Sequence, residues 1–287
     1  MKTDTIIDTL ALQVNFFDEN RCDTAMDELF AKLEKYNLYK DKNSNEIKYK
    51  FNLIATIDKG CFSYHSKTNN EKAKTVWYLT IKLAGLKRYL DSIDTASTNC
   101  LLLICSYLNT NKIAYHVTQL DVAIDIFTKF DNVLALCTNR SPTTKYYKSN
   151  DEQKYPTTTY IEKFKNEQQQ KEAVLRATLY DKTFKHTLQT TITRFEISFQ
   201  RKFFKNNKFD VGAIYREFQR YQVLYIPNQK KKQAIMDKYD SMEIIRQKDV
   251  YELNVEQFRI HPNTQALMDF ILRMYMVHDT KLEYFLL

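Results

Sequence analysis

The sequence predicts an α+β protein with a central antiparallel sheet, flanking helices and a helical C-terminal region. Three observations predict this class. Segments that alternate apolar and polar residues recur in the first two thirds of the chain, and segments with three- and four-residue apolar spacing lie between them. From about residue 206 helical spacing dominates. We therefore expect a sheet domain at 1–205 and a helical region at 206–287.

In the first half, helical spacing appears at residues 23–40, with Asp23 as a candidate N-cap. Alternation then predicts strands over 47–57, 61–65 and 76–83. Helical spacing returns over 86–109, and a strand follows at 117–126.

The second half repeats this theme loosely. Its predicted elements are a short helix at 131–137, strands at 143–147, 158–164, 174–180 and 191–199, and helices at 209–221, 230–245 and 263–277. Two pseudo-repeated halves are one interpretation, although identity between the halves is too weak to prove a duplication.

Composition limits the classes of function. The 287 residues include 44% hydrophobic residues, which is typical of a globular protein, and the net charge of +8 favours a polyanionic partner, either nucleic acid or a membrane surface. Only 3 glycines are present, and neither a phosphate-binding Walker loop nor a dinucleotide fingerprint is found. No apolar run is long enough for a membrane span or a signal peptide, so we expect a cytoplasmic protein.

The 5 cysteines are odd in number and lack CxxC spacing, which argues against a disulfide framework and a thiolate zinc site. We expect them to be reduced and mostly buried. They are Cys22, Cys61, Cys100, Cys105 and Cys137.

The predicted strand at 117–126 carries two carboxylates on one face, Asp121 and Asp125. Unpaired carboxylates are expensive to bury, so they need solvent, a cation or basic partners. We expect both to reach a single divalent cation. A later strand also has a charged face, because Arg194, Glu196 and Ser198 lie opposite its aromatic residues.

Tyr180 ends another predicted strand, between Arg176 and Lys182. A phenol is a poor nucleophile, but neighbouring cations or a metal-bound phosphate can lower its pKa and orient it, and attack on a DNA phosphate is the chemistry such a setting suits. The alternative is a strand-end tyrosine that packs its ring and leaves its hydroxyl in water, which fits most of the 20 tyrosines.

Three segments in order, VTQLDVAIDIF, VLRATLYDK and TRFEISFQRKFF, resemble the pT181-type rolling-circle plasmid replication initiators, the Rep_trans family. The resemblance covers about residues 113–204 and extends weakly toward residue 50. One departure is Gln119, where the family usually has an arginine before the Leu-Asp pair.

The resemblance implies an enzyme that nicks one strand of an origin by tyrosine attack, stays attached to the 5′ phosphate and leaves a free 3′ hydroxyl. It places the nucleophile at Tyr180, with Arg176 and Lys182 as basic neighbours. It also implies Mg²⁺ or Mn²⁺ as cofactor, double- and single-stranded origin DNA as partner, a homodimer, and a host helicase and polymerase. The implied metal ligands are Asp121, Asp125 and Glu196. We accordingly expect the nicking chemistry in residues 1–205 and recognition of origin DNA in residues 206–287.

Two features leave alternatives open. All 5 histidines are isolated, so carboxylates have to hold any metal. The run Lys230, Lys231 and Lys232 either contacts DNA phosphates or is a solvated helix face. The main rival function is a non-catalytic DNA-binding initiator or regulator, in which the acidic residues pair with arginine and lysine inside the sheet; a phage or mobile-element nickase is a further option.

Overall fold

The structure is a computed structural model, and it describes residues 3–64, 74–137, 144–148, 157–163, 175–207, 211–240 and 251–253. The predicted α+β class is confirmed: a large antiparallel sheet is flanked by helices. The strands are β1 (Thr3–Phe16), β2 (Tyr39–Lys40), β3 (Glu46–Tyr49), β4 (Asn52–Tyr64), β5 (Lys74–Leu83), β6 (Tyr115–Ile126), β7 (Val133–Cys137), β8 (Thr144–Lys148), β9 (Thr158–Lys163), β10 (Leu175–Asp181), β11 (Thr193–Gln200), β12 (Tyr221–Tyr225) and β13 (Tyr251–Leu253). The helices are α1 (Glu19–Glu34), α2 (Asp91–Thr110), α3 (Lys182–His186), α4 (Arg201–Asn207), α5 (Val211–Phe218) and α6 (Gln229–Asp240).

The described chain divides into two compact units. The first unit holds Ile7–Leu120, and the second holds the residues from Asp121 onward together with the first residues of β1. Strands β1 and β6 therefore contribute residues to both units. Helices α5 and α6, which lie beyond the boundary expected at 205, belong to the same unit as β9, β10 and β11. The separate roles expected for 1–205 and 206–287 stay predictions.

In the first unit the strand order is β2-β3-β4-β5-β1, and helix α1 contacts α2 and β5. Helix α1 forms because Asp18 caps it, accepting a hydrogen bond from the backbone N–H of Asn20 at 3.1 Å, and because apolar residues recur on one side. Cys22, Ala25 and Leu29 are among the side chains it buries. The salt bridges of Lys59 to Glu19 and Asp23 link β4 to the start of this helix.

Helix α2 begins at Asp91, five residues later than helical spacing predicted. The carboxylate of Asp94 accepts hydrogen bonds from the backbone N–H groups of Arg88 and Tyr89, at 2.7 and 3.1 Å. Gly85 and Tyr89 both have positive φ, so the chain turns here before the helix starts.

In the second unit β6, β11, β10, β9 and β8 are neighbours in that order, and β12 lies between β13 and β7 in a three-stranded sheet. An apolar cluster supports the small sheet through helix α6, whose Ile235 packs with residues of β7 and β12. The other members of the cluster are Leu134, Leu136, Leu224 and Ile226.

Several element predictions were wrong. The segment predicted as a helix at 131–137 is mainly strand β7, because a short, continuous apolar run does not distinguish a buried strand from a helix. The strand predicted at 47–57 is divided by a turn, and β4 continues through the strand predicted at 61–65. Sequence spacing also missed β1, whose consecutive Leu10, Ala11 and Leu12 are all buried and so do not alternate.

The C-terminal region is less helical than predicted within the described residues. Helices α5 and α6 confirm two of its predicted helices, but β12 and β13 are strands that spacing did not indicate. The helix predicted at 263–277 lies outside the described residues. Among the described helices, none combines the length and the apolar character that crossing a membrane requires.

Candidate functional site

The neighbouring strands β10 and β11 bring the predicted nucleophile to a carboxylate. Tyr180 pairs with Arg194 and Thr178 pairs with Glu196, so Tyr180 and Glu196 lie on the same face, one step apart diagonally. The Tyr180 hydroxyl donates a hydrogen bond to Oε2 of Glu196 at 3.2 Å. Tyr180 is only 4% exposed, whereas the Glu196 side chain is 17% exposed. The phenol hydroxyl therefore contacts a partly exposed carboxylate and does not point into a dry apolar interior.

Helix α3 covers the ring of Tyr180. Asp181 starts this helix by accepting a hydrogen bond from the backbone N–H of Phe184 at 3.0 Å. One turn later the ammonium nitrogen of the exposed Lys185 lies 4.6 Å from the centre of the Tyr180 ring. This distance is typical of a cation–π interaction, and it puts a solvent-accessible positive charge beside the tyrosine.

Asp125 is completely buried and is held by two cations. Nε and Nη2 of Arg194 donate to the two carboxylate oxygens at 2.5 and 2.7 Å, a bidentate arrangement. Nζ of Lys182 lies 3.7 Å from Oδ2 of the same carboxylate, and the Lys182 side chain is 1% exposed. Nη1 of Arg194 also lies 3.9 Å from Oε2 of Glu196. Arg194 therefore links the buried carboxylate of Asp125 to the carboxylate that accepts from Tyr180.

Asp121 lies elsewhere on the same strand and has a different partner. Its Oδ1 accepts a hydrogen bond from the hydroxyl of Ser198, whose oxygen in turn accepts one from the side-chain amide of Gln200 at 2.7 Å. Asp121 is 7% exposed. Asp121 and Asp125 are four residues apart on one strand, about 13 Å between Cα atoms.

The three predicted metal ligands do not fit a single cation in this arrangement. Asp125 is engaged by Arg194 and Lys182, Asp121 by Ser198, and Glu196 by Tyr180. Over the described ranges, no group of three histidine, cysteine, aspartate or glutamate side chains is arranged to hold a metal ion. Asp121 and Asp125 cannot share a cation because their Cα atoms are about 13 Å apart, whereas cation–oxygen distances are only about 2.0–2.6 Å. Binding of Mg²⁺ or Mn²⁺ stays a prediction.

The two predicted basic neighbours of the tyrosine lie in different environments. Lys182 is buried beside Asp125, as described above. Arg176 is exposed, but it pairs with Ser198 at the other end of β10, about 13 Å along the strand from Tyr180. A direct role of either residue in catalysis stays a prediction.

The three lysines predicted to contact DNA lie in the first turn of helix α6. Lys230 and Lys231 are exposed. Nζ of Lys232 instead donates to the backbone carbonyl of Asp131 at 2.8 Å and lies 5.9 Å from the centre of the Phe130 ring. Burial lowers the pKa of Lys232, partly offset by the charge of Asp131. Of the three, Lys230 and Lys231 are exposed and Lys232 is partly buried.

Sequence reasoning missed Arg194, Ser198 and Lys185 as site residues. Alternation predicted that Arg194 and Ser198 share a strand face with Glu196. Arg194 could have been identified from this pattern, because a buried aspartate on a neighbouring strand needs a cationic partner. Lys185 had no such signal, because its position depends on the short helix α3 folding over Tyr180.

Comparisons with solved structures find likenesses to known proteins. No protein-family model matches the chain, and no curated protein matches it. Among solved structures, the chain is similar to the rolling circle replication initiator protein from Geobacillus stearothermophilus, over 94% of this chain and 97% of that one. Sequence identity is 9% and the TM-score is 0.38. A likeness at this level carries no conclusion about function.

Proposed function

We propose that this protein is a rolling-circle replication initiator that nicks one strand of an origin DNA through a covalent bond to Tyr180. The observation that carries the proposal is the 3.2 Å hydrogen bond from the Tyr180 hydroxyl to Glu196. It supplies a nucleophile with a carboxylate in contact, which is the pairing that nucleophilic catalysis requires. The sequence resemblance to the pT181-type initiators, carried by the strands of Asp121, Tyr180 and Glu196, supports the same assignment.

In the proposed reaction Glu196 acts as general base. The phenolic oxygen of Tyr180 attacks the phosphorus and its proton passes to Glu196. The bond between phosphorus and the 3′ oxygen breaks, and that oxygen takes up a proton to become a free 3′ hydroxyl. One phosphodiester is replaced by one phosphotyrosine ester, so the step is reversible and needs no ATP.

The cations around the tyrosine have separate roles in this proposal. Arg194 is fully buried and cannot touch DNA, so it positions Glu196 while holding Asp125. Lys185 is exposed beside the Tyr180 ring and is the cation best placed to stabilise negative charge on the attacked phosphate. Arg176, also exposed, contacts a more distant part of the strand.

The partners of this activity are likewise proposed. We expect the basic surface, including Lys230 and Lys231, to bind the double-stranded origin through its phosphates. A homodimer, a host helicase, a polymerase and a cytoplasmic location follow from the family resemblance. A requirement for Mg²⁺ or Mn²⁺ remains part of the hypothesis, and it is tested by comparing adduct formation in each metal with that in EDTA.

A second candidate function is a DNA-binding initiator or regulator without chemistry. The observation that favours it is the complete pairing of Asp125 with Arg194 and Lys182, which is how a structural ion-pair network is built. This alternative predicts binding to the origin with no covalent product.

The test uses a supercoiled circle that carries the coding sequence and its flanking DNA. The wild-type protein is expected to form an adduct that survives denaturing electrophoresis, and Tyr180→Phe is expected to form none. Glu196→Gln should slow adduct formation by about 10²- to 10⁴-fold, the usual contribution of a general base.

The matched control is Tyr107→Phe. Tyr107 is also buried, and its hydroxyl donates to a glutamate, Glu28, at 2.8 Å in the other unit. This variant loses the same kind of hydrogen bond and should keep full activity. An adduct of normal yield in Tyr180→Phe would reject the proposed nucleophile.

A further inference from the structure

The hairpin between β3 and β4 has an unusual tip. Tyr49 and Asn52 are paired, so only Lys50 and Phe51 form the turn. Both have positive φ, 45° and 67°, as in the two-residue turn that Asn-Gly sequences favour. The side chain of Phe51 is 100% exposed.

The backbone of this tip is strained, and the exposed ring of Phe51 does not offset the strain by being buried. A residue with a Cβ atom is unfavourable in the left-handed region, and here two such residues are adjacent. A fully exposed phenyl ring gains nothing from burial. A strained backbone that displays a large apolar side chain is a feature typical of functional sites rather than of a simple connection.

The segment around the tip is basic and aromatic. Residues 35–51 contain five lysines and only two acidic residues, Asp41 and Glu46, in a chain of net charge +8. Both acidic side chains are salt-bridged to Lys48, at 2.6 and 3.0 Å. Lys50 is exposed at the tip, and its ammonium nitrogen lies 5.3 Å from the centre of the Tyr49 ring.

Exposed tyrosines lie close to this hairpin along the chain. Tyr39 is 50% exposed and is directly opposite Lys48 in the β2–β3 pair. Tyr36, three residues earlier, is 59% exposed. Exposed aromatic rings interleaved with lysines are the combination that binds single-stranded nucleic acids, because rings stack on bases and ammonium groups contact phosphates.

We propose that the β3–β4 hairpin binds a nucleic acid strand, with Phe51 stacked on an unpaired base and Lys50 on a neighbouring phosphate. One apolar ring is enough for base stacking, whereas anchoring to a membrane requires a larger apolar face. The inference rests on the proposed function for its substrate, since nicking exposes unpaired bases. It does not depend on the chemistry of Tyr180.

The test compares binding of a fluorescent oligothymidylate by fluorescence anisotropy. Phe51→Gly should weaken binding about tenfold, the loss expected for one stacked base. The same variant should melt at a higher temperature, because glycine relieves the backbone strain. Phe51→Trp retains an aromatic ring and should retain affinity.

One control completes the experiment. Phe17→Ala removes a phenyl ring that is 65% exposed between β1 and α1, and it should bind normally. Oligonucleotide binding is measured without any nicking, so a failure of the nicking chemistry leaves this test intact. Unchanged affinity of Phe51→Gly would overturn the inference. The inference would also be overturned if Phe51→Gly lost binding to phosphatidylserine vesicles but kept its affinity for the oligonucleotide.

Discussion

At the residue scale, the two lysines after Tyr180 have opposite environments. Lys182 is buried against Asp125, whereas Lys185 is exposed with its ammonium nitrogen 4.6 Å from the tyrosine ring. The family resemblance puts Lys182, with Arg176, beside the nucleophile. We propose Lys185 as the cation closer to the reaction, because the first residue of helix α3 turns inward and its fourth turns back over the ring.

These environments predict different effects of two matched substitutions. Lys185→Ala should reduce the rate of adduct formation about tenfold or more, by removing a charge beside the attacked phosphate, and should leave thermal unfolding unchanged. Lys182→Ala should instead destabilise the fold by about 1–3 kcal/mol, because a buried carboxylate loses a partner. Adduct kinetics and urea unfolding measure the two effects. The reverse pattern would restore the sequence-based assignment.

The cysteines provide a second residue-scale prediction. Burial raises the pKa of the Cys22 thiol to about 11 and the pKa of Cys100 and Cys105 to about 12, while Cys61 is exposed. Because only the thiolate reacts, a raised pKa leaves these three thiols protonated at neutral pH, and reactivity increases only as pH rises toward those values.

A thiol reagent should therefore modify Cys61 rapidly in the native protein at neutral pH. The three buried thiols should react only after unfolding in denaturant. Peptide mapping after a short exposure identifies the modified residue. Rapid labelling of Cys100 or Cys105 in the folded protein would contradict the buried environment of helix α2.

At the scale of elements, β6 and β11 are connected by the buried pair of Asp125 and Arg194. A fully buried bidentate pair contributes little net stability when compared with apolar residues, yet removing one partner leaves an uncompensated charge. Asp125→Asn should therefore destabilise the protein by about 3–5 kcal/mol.

The double variant Asp125→Leu with Arg194→Met should be destabilised by less than the sum of the effects of Asp125→Leu and Arg194→Met, since the interaction between the two side chains is lost only once. Denaturant unfolding of the two single variants and the double variant forms a double-mutant cycle that measures the coupling. Additive effects would mean that the two side chains do not interact as the structure places them. Adduct formation by the folded double variant separately tests whether Arg194 positions Glu196.

The sequence predicted elements well where periodicity was clean. Strand β11 alternates polar and aromatic residues, so both its extent and the face shared by Arg194 and Glu196 were predicted correctly. Strand β7 was mistaken for a helix because four consecutive apolar residues are buried on both faces. The turn at Lys50 and Phe51 was missed because neither residue is a turn former.

The candidate site was only partly predictable because its contacts join residues of different strands. Tyr180 and Glu196 were each identified from their strands, but their hydrogen bond depends on the register between β10 and β11. A shared cation was expected at Asp121, Asp125 and Glu196 because the two aspartates share a strand face and the family resemblance adds the glutamate. Sequence alone did not reveal that Arg194 and Lys182 had already engaged Asp125.

At the scale of the whole molecule, the residues of the candidate site all belong to the second unit. Strands β10 and β11 supply Tyr180 and Glu196, and the end of β6 supplies Asp125, so the proposed chemistry does not depend on how the two units are arranged. The first unit carries the β3–β4 hairpin, which we propose as a separate contact to unpaired bases.

The most direct test of the nucleophile is to identify the linked residue. After reaction with the supercoiled circle, nuclease digestion and trypsin treatment, mass spectrometry should find a nucleotide on the peptide Ala177–Lys182, in which Tyr180 is the only tyrosine. The predicted result is that modified peptide in the wild-type protein and in Tyr107→Phe, and its absence in Glu196→Gln at early times. A nucleotide linked to a different tyrosine, or origin binding with no linked peptide at all, would contradict the proposed mechanism.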